Sequence, residues 1–431
     1  MTRTCFYDKN TKNHNLKNPT KMNDDRPNSD FTRVIIDSQS NPHFLGEVQE
    51  QRFDQRAALS QGRSGDIVVT TDPIDPLYID YWKSLGFTIP TLIVAGPFQK
   101  EKVLSQLIFD KPEIQDEIMR NLNGSPPRVE FFTPSNPEEI LAKHLGLPAY
   151  LNFDFAKEMQ KKSNFKKLCA ELEISTLPYV ALNKDLKWKQ LIEILGESHN
   201  GYIAKHIFGT GGAGLGTIIP IQTKEEFLSL DGSEDYIIEK LIPVAMEISM
   251  HWEIDFNHKV HFINCFEQLA ENVSYVGTVF PTQIPEALYN SIYSEYEILT
   301  NKISELGGLG YMCCDVLVDE NGNFYWSDLN PRKGAILFIY DAVRRFRKNH
   351  NLLDQEYFVR HKHIKIGAES FEEVKELLGY RLRLYPNGII LITNPGIIEF
   401  GMLDVTALSF LSHENASLML REVEEILLRR S

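Results

Sequence analysis

Gly310-Tyr-Met-Cys-Cys-Asp315-Val-Leu-Val-Asp-Glu-Asn-Gly-Asn-Phe-Tyr-Trp-Ser-Asp328-Leu-Asn330-Pro-Arg332 is the stretch from which the fold of this chain is read. Apolar, β-branched and aromatic residues flank Asn321-Gly322, a strong short-range hairpin signal. A two-residue turn there puts Glu320 opposite Asn323, Asp315 opposite Asp328 and Cys313 opposite Asn330. Because side chains alternate along a strand, Asp315, Asp328 and Asn330 then share one face. Directly opposed carboxylates repel. A hard cation with oxygen ligands removes that penalty, and Mg2+ held by carboxylates together with substrate phosphates has this chemistry. The alternative is a polar hairpin face exposed to water.

Around this hairpin, a chain of 431 residues leads to an expectation of two or three compact units. Hydrophobic content of 42% and charged content of 24% are ordinary for a globular protein in water. A net charge of −14 argues against a nucleic-acid or anionic-membrane binder, although a local basic pocket can still hold phosphates. No apolar run approaches the ~20 residues of a membrane span, and no signal-peptide pattern opens the sequence. Cys5, Cys169, Cys265, Cys313 and Cys314 have no Cys-x-x-Cys spacing and read as reduced core thiols. The expected location is cytoplasmic.

Upstream, residues 1–30 are polar and Asn-rich and read as a disordered tail. Residues 31–150 alternate apolar strands, near 33–37, 65–73, 91–96 and 128–133, with helical stripes, which predicts an α/β unit with a mostly parallel sheet. Asp72 and Asp75 in it read as turn or capping residues. Lys162 opens a short amphipathic helix in which Phe165, Leu168, Cys169 and Leu172 form one stripe.

Next come a strand carrying Lys205 and a glycine-rich loop, Gly209-Thr-Gly-Gly-Ala-Gly-Leu-Gly216. Residues 209–214 match the dinucleotide fingerprint, but that fingerprint needs a following helix and an acidic residue about 20 positions on. The sequel, Thr217-Ile-Ile-Pro-Ile221, is strand-like, so the loop joins two strands. No Lys-Ser or Lys-Thr ends it, which excludes a P-loop. What remains is a hairpin whose small residues let backbone N–H groups approach an anion, or a surface hairpin without a ligand. A strand over 235–243 carries Glu239, Lys240 and Ile242, and Glu247 follows. Two antiparallel strands are expected to meet at Asn257-His258, and a helix over 288–306 leads into the opening hairpin. After Arg332, a helix to about 348, polar residues His361 and His363 read as solvated, strands near 380–400 and a final helix over 414–430 are expected.

This order of features resembles the ATP-grasp superfamily, and within it the branch with a pre-ATP-grasp domain typified by pheganomycin-type peptide ligases. The resemblance implies a mixed α/β and α+β fold in which two α+β subdomains clasp ATP. The pre-ATP-grasp α/β domain would span 31–150 and the ATP-grasp domain 151–345, with a lid subdomain at about 174–240. A C-terminal α/β region over 346–431 would pack on the core. Carried over by residue, Lys162 and Lys205 would contact phosphates, with Gly209, Gly211, Gly212 and Gly214 in the lid over them. Glu239, Lys240 and Ile242 would line the adenine site and Glu247 would take the ribose. Asp315, Asp328 and Asn330 would hold two Mg2+ ions, with Mn2+ as a substitute, and Arg332 would face the transferred phosphoryl group or the acyl phosphate. Lys205 and Arg332 are the implied catalytic residues.

Asp328 stands where the superfamily often has Glu, and Cys313 where some ligases carry Arg. The implied activity joins a carboxylate to an amine, from amino acids or short peptides, with release of ADP and phosphate. A thiol, hydroxyl or ammonia acceptor and a non-catalytic nucleotide-binding protein are the alternatives. No nucleic acid or membrane partner is expected, and a homodimer is the expected assembly.

Overall fold

The computed structural model describes residues 31–37, 52–99, 101–122, 124–207, 218–230, 236–271, 274–382 and 387–428. The N-terminal strands are β1 (Thr32–Ile36), β2 (Ile67–Thr70), β3 (Thr91–Val94) and β4 (Pro127–Phe131). They form a parallel sheet in the order β3-β2-β1-β4. Val34, Ile35 and Ile36 are all buried, as expected of a strand covered on both faces by helices. The helix Pro76–Ser84 starts as the sequence predicts: Asp75 accepts from the Leu77 amide and Pro76 occupies the first turn. A helix at Pro112–Arg120, not expected from sequence, follows Leu104–Phe109.

A second sheet is small and antiparallel. It comprises β5 (Tyr179–Ala181), β6 (Tyr202–His206), β7 (Ile218–Ile221) and β8 (Tyr236–Lys240), in the order β5-β8-β6-β7. β6 and β7 pair directly, so the glycine-rich stretch does join two strands. Its glycines, Gly209, Gly211, Gly212 and Gly214 among them, lie outside the described residues, as do residues 1–30.

The third sheet has eight strands: β9 (Val244–Ile254), β10 (Val260–Glu271), β11 (Ser274–Phe280), β12 (Gly310–Asp319), β13 (Phe324–Asn330), β14 (Phe358–Lys365), β15 (Gly388–Asn394) and β16 (Met402–Ser409). Their order is β13-β12-β9-β10-β11-β14-β16-β15, so the C-terminal strands extend the sheet that carries the hairpin. Alternation divides its faces. Ile248, Met250, Trp252 and Ile254 of β9, with Met312, Cys314 and Val316 of β12, pack under the helices Lys162–Glu171 and Glu286–Glu305. The opposite face carries Glu247, Ser249, His251, Cys313 and Asp315. Gly310 starts β12 because any side chain there would run into the Tyr150 carbonyl.

The helix Ile336–Asn349 is buried on nearly all sides and joins the N-terminal unit to the eight-stranded sheet in one apolar core with Trp82, Phe266, Val343, Ile390 and Val405. Tyr78 and Tyr81 donate to the carbonyls of Ile392 and Ile390, at 2.7 and 2.9 Å, and so cover edge strand β15. His361 and His363 are not the solvated residues expected from sequence. They lie on β14 inside the sheet, where His361 is buried against Thr406 and His363 is paired with Asp404. Cys169, Cys265, Cys313 and Cys314 are free and buried, in line with the core-thiol reading. Among the described residues, no helix is long and apolar enough to cross a membrane.

A buried charge cluster ties the segment after β13 to the N-terminal sheet. Glu130 accepts from Arg128 at 2.6 Å and from Lys333 at 2.9 Å, and all three are buried. Burial opposes ionisation of Glu130, but Lys333, Arg128 and Arg33 hold its carboxyl well below the usual range. Removing the anion leaves buried cations unpaired. Glu130→Ala is therefore expected to lower unfolding free energy by about 3–5 kcal/mol, read as a reduced midpoint in urea denaturation.

Candidate active site

The hairpin reaches the expected facing pairs by a different route. Asp319 N donates to the Asn323 carbonyl at 2.9 Å, which leaves Glu320, Asn321 and Gly322 as a three-residue loop. Gly322 takes φ +79°, the left-handed position such loops need. The Asp319 carboxylate holds the loop by accepting from the Asn321 and Asn323 amides. Pairing then runs Val318 with Phe324, Leu317 with Tyr325 and Val316 with Trp326, one residue away from the two-residue-turn register. A β-bulge at Ser327 restores it, so Asp315 faces Asp328 and Cys313 faces Asn330. Trp326 anchors the hairpin, donating from its indole to Glu295 at 2.8 Å and from its backbone to Ser175.

The two carboxylates have different surroundings. Asp315 accepts from Ser249 at 3.0 Å, Gln268 at 2.6 Å and Asn330 at 3.2 Å. Burial and the nearby Asp328 charge nevertheless push its carboxyl up to about 6. Asp328 contacts the Lys162 ammonium at 3.0 Å and accepts from Ser327 at 3.2 Å. Burial would raise it too, but Lys162 and Lys205 outweigh burial and hold it far below the ordinary range. Glu247, on the same face of β9, is pushed up to about 7 by burial and by Asp315, against the pull of Lys205. All these donors are oxygens, which suits a hard cation such as Mg2+. Among the described residues, Asp315, Asp328 and Glu247 do not close into a trio of ligand atoms within 4.8 Å. They therefore fit a cation completed by phosphate oxygens better than an all-protein cage.

The lysines are organised by Glu239. Its fully buried carboxylate lies between Lys205, at 2.9 Å, and Lys166, a lysine that the sequence reading did not single out. Lys205 also donates to Ser327 at 3.0 Å. Burial disfavours the Lys205 charge, but Glu239 and Asp328 raise its pKa above the usual lysine value. The result is an alternating series: Lys166, Glu239, Lys205, then Ser327 and Asp328, then Lys162. Glu239 thus uses its side chain on two lysines. Lys240 is half-buried beyond it, and Ile242 lines a cavity of about 970 Å3 with Leu241, Glu247, Glu267 and Gln268.

A second cavity, of about 590 Å3, lies on the other side of Gln268 and is bordered by Asp315, Asn330, Arg332, Arg56, Phe132 and His363. Arg332 donates to Asn330 Oδ1 and to the Lys333 carbonyl, both at 3.1 Å, and its guanidinium lies 4.9 Å from the centre of the Phe132 ring. Burial lowers its pKa, with Cys313 and Asp315 opposing. No carboxylate pairs with Arg332 among the described residues. Cys313, where some ligases carry Arg, is buried, and burial pushes its thiol up to about 12. Sequence reading missed Ser249 and Gln268, which hold Asp315, because neither belongs to a local motif.

No known family profile matches the sequence, and no curated protein matches it significantly. Solved structures do. An N5-carboxyaminoimidazole ribonucleotide synthetase in complex with ADP superposes with a TM-score of 0.58 at 14% identity, covering 92% of this chain and 96% of that one. The chain has the ATP-grasp fold. An N5-carboxyaminoimidazole synthetase from Staphylococcus aureus gives a TM-score of 0.57 at 13% identity over 95% of this chain and 99% of that one. A biotin carboxylase–ATP complex from Campylobacter jejuni gives 0.58 at 14% over 92% and 91%. These ATP-grasp structures share the N-terminal α/β unit followed by antiparallel sheets.

The raised Glu247 carboxyl has a consequence for stability. Its contribution is present below pH 4.5 and is lost as pH rises through about 7, because the folded form binds the proton more tightly than the unfolded form. In the metal-free protein, Glu247→Gln is expected to remove this decline. Melting temperatures of the wild type and variant should therefore converge at acid pH and separate in favour of the variant toward pH 8.

Proposed function

We propose that the chain is an ATP-dependent carboxylate–amine ligase that makes an amide or peptide bond through an acyl phosphate. The observation that supports this best is the Asp315–Asp328 pair between the two lysines and the arginine-bordered cavity. Positive side chains that suit phosphates lie on one side of it, and Arg332 lies on the other. The neighbours solved with ADP and ATP support a nucleotide substrate. Amino acids or short peptides as the acid and amine, as in pheganomycin-type ligases, are the finer part of the proposal. In domain terms, 31–150 is taken as the pre-ATP-grasp unit, 151–345 as the catalytic unit with a lid at about 174–240, and 346–431 as the C-terminal part of the core.

In this reading Lys162 and Lys205 bind the β- and γ-phosphates, and the stretch from Gly209 to Gly216 covers them. The backbone near Glu239, Lys240 and Ile242 borders the adenine, and Glu247 accepts from the ribose hydroxyls. Asp315, Asp328 and Asn330 would hold Mg2+, which neutralises phosphate charge as the phosphoryl group moves. A carboxylate is a poor electrophile, so its oxygen first takes the γ-phosphoryl group and ADP leaves. Arg332 steadies the negative charge of the resulting acyl phosphate. The amine then attacks the acyl carbon, phosphate departs, and the amine proton passes to solvent or to a base at the site. No protein nucleophile is needed, since positioning and charge neutralisation carry phosphoryl transfer.

With ATP, Mg2+ and a panel of amino acids and dipeptides, the protein should release phosphate and give a product whose mass is the sum of acid and amine less one water. Asp328→Asn is expected to slow phosphate release by about 100- to 1,000-fold. No release with any pair, or a variant that retains full turnover, refutes the ligase proposal.

A further inference from the structure

Farther along the sheet face that carries Asp315, β14 and its neighbours bring together donors that the ligase reading does not use. His361 and His363 are two residues apart on β14 and so point to one face. Asp404 of β16 pairs directly with His363, and Thr406 with His361, so all four share that face. Two imidazoles and a carboxylate contribute ligand atoms that lie within 4.8 Å of one another, with His361 and Asp404 buried and His363 half-buried. His363 Nδ1 is in direct contact with Asp404 Oδ1, and Thr406 Oγ1 lies 2.9 Å from His361 Nδ1. A hydroxyl on one ring nitrogen fixes the imidazole and leaves the other nitrogen as a donor, the outer-shell arrangement common around metal-bound histidines.

A fourth group is independent of these strands' pairing. Tyr275 of β11 packs edge-on against His363, with ring centroids 5.9 Å apart. Its hydroxyl is buried and has no hydrogen-bond partner among the described residues. A buried phenol left without a partner is costly. Its place beside a His–Asp pair gives it an oxygen that an ion there would accept. Phe53 stacks over His363 from the N-terminal unit, and His363 and Tyr275 border the 590 Å3 cavity, so the cluster has an entry path.

We propose that His361, His363 and Asp404 bind a zinc-type divalent cation, with the Tyr275 hydroxyl or water completing its shell. Two nitrogens and one carboxylate suit Zn2+ or Co2+ at ligand distances of about 2 Å, in contrast to the all-oxygen set that suits Mg2+. Binding replaces the proton shared by His363 and Asp404, so the cation enters as one proton leaves. The site uses none of Asp315, Asp328 and Asn330, although His363 borders the same cavity as Asp315 and Asn330, and it stands whether or not the ligase reading does.

The test is a Co2+ titration of the chelator-treated full chain, without nucleotide, followed by Zn2+ competition. A single Co2+ should give the visible ligand-field band of a low-coordinate nitrogen–oxygen site, with no thiolate charge-transfer band from a cysteine, and Zn2+ should bleach it. Asp404→Asn and His363→Gln should each weaken binding by more than about tenfold. Tyr275→Phe should alter the band while leaving binding closer to the wild type. Asp328→Asn should leave both unchanged. Metal-free thermal melts identify any variant that fails to fold, and the wild-type titration stands without them. The proposal is overturned if the wild type gives no such band, if folded Asp404→Asn and His363→Gln bind as the wild type does, or if Asp328→Asn abolishes the band.

Discussion

The Glu239 carboxylate, buried between Lys166 and Lys205, is the interaction on which the geometry of the site depends. It joins three separate pieces of chain: the helix that begins at Lys162, the small sheet through β6 and β8, and the hairpin through the Lys205–Ser327 hydrogen bond. Loss of one member of such a buried group costs about 3–5 kcal/mol, because the remaining charges have no water to turn to. The same arrangement presents Lys205 and Lys162 beside Asp328 as fixed cations. A phosphate arriving there meets charges whose side-chain order is already set.

Electrostatics divides the acidic groups into two kinds. The Lys162 and Lys205 ammonium groups hold the Asp328 carboxyl far below the ordinary range, against burial. Asp315 and Glu247 are instead pushed up, to about 6 and about 7, by burial first and then by a neighbouring carboxylate, Asp328 for Asp315 and Asp315 for Glu247. Repulsion of this sort is the excess that a divalent cation relieves, and it is absent from an exposed polar hairpin. The site is thus under tension as a protein surface and balanced as a place for phosphate and a hard cation. Opposite it, Arg332 donates to two neutral oxygens and, among the described residues, to no carboxylate, which suits an anion in the adjoining cavity.

Packing explains how these groups are kept in register. The eight-stranded sheet buries one face under two helices and leaves the other for Asp315, Ser249 and His251. Lys333, the residue after Arg332, is drawn to Glu130 and Gln61 of the N-terminal unit, so the segment that carries Arg332 is held from both sides. Among the described residues the N-terminal unit contributes no donor to the Asp315–Asp328 pair, yet Arg56 and Phe132 of that unit border the cavity.

Local sequence determined much of this protein. Period-two and period-3.6 patterns gave the strands of the α/β unit, the Lys205 strand, the helix before the hairpin and the final helix, because each buries a stripe that the pattern exposes to view. The facing of Asp315 and Asp328 was also legible, although the turn was not: an extra loop residue and the Ser327 bulge cancel, and neither has a signature as plain as Asn-Gly. Lys166 stands four residues after Lys162 on one helix face, a spacing that could have marked it.

Tertiary structure alone decided which charges are buried together. Glu239 became the partner of two lysines, Lys333 turned to Glu130, and His361 and His363 entered a sheet next to Asp404. The physical reason is that periodicity reports the side of an element that faces the core. A polar residue's burial depends on a partner from a distant part of the chain, and no local pattern encodes that partner.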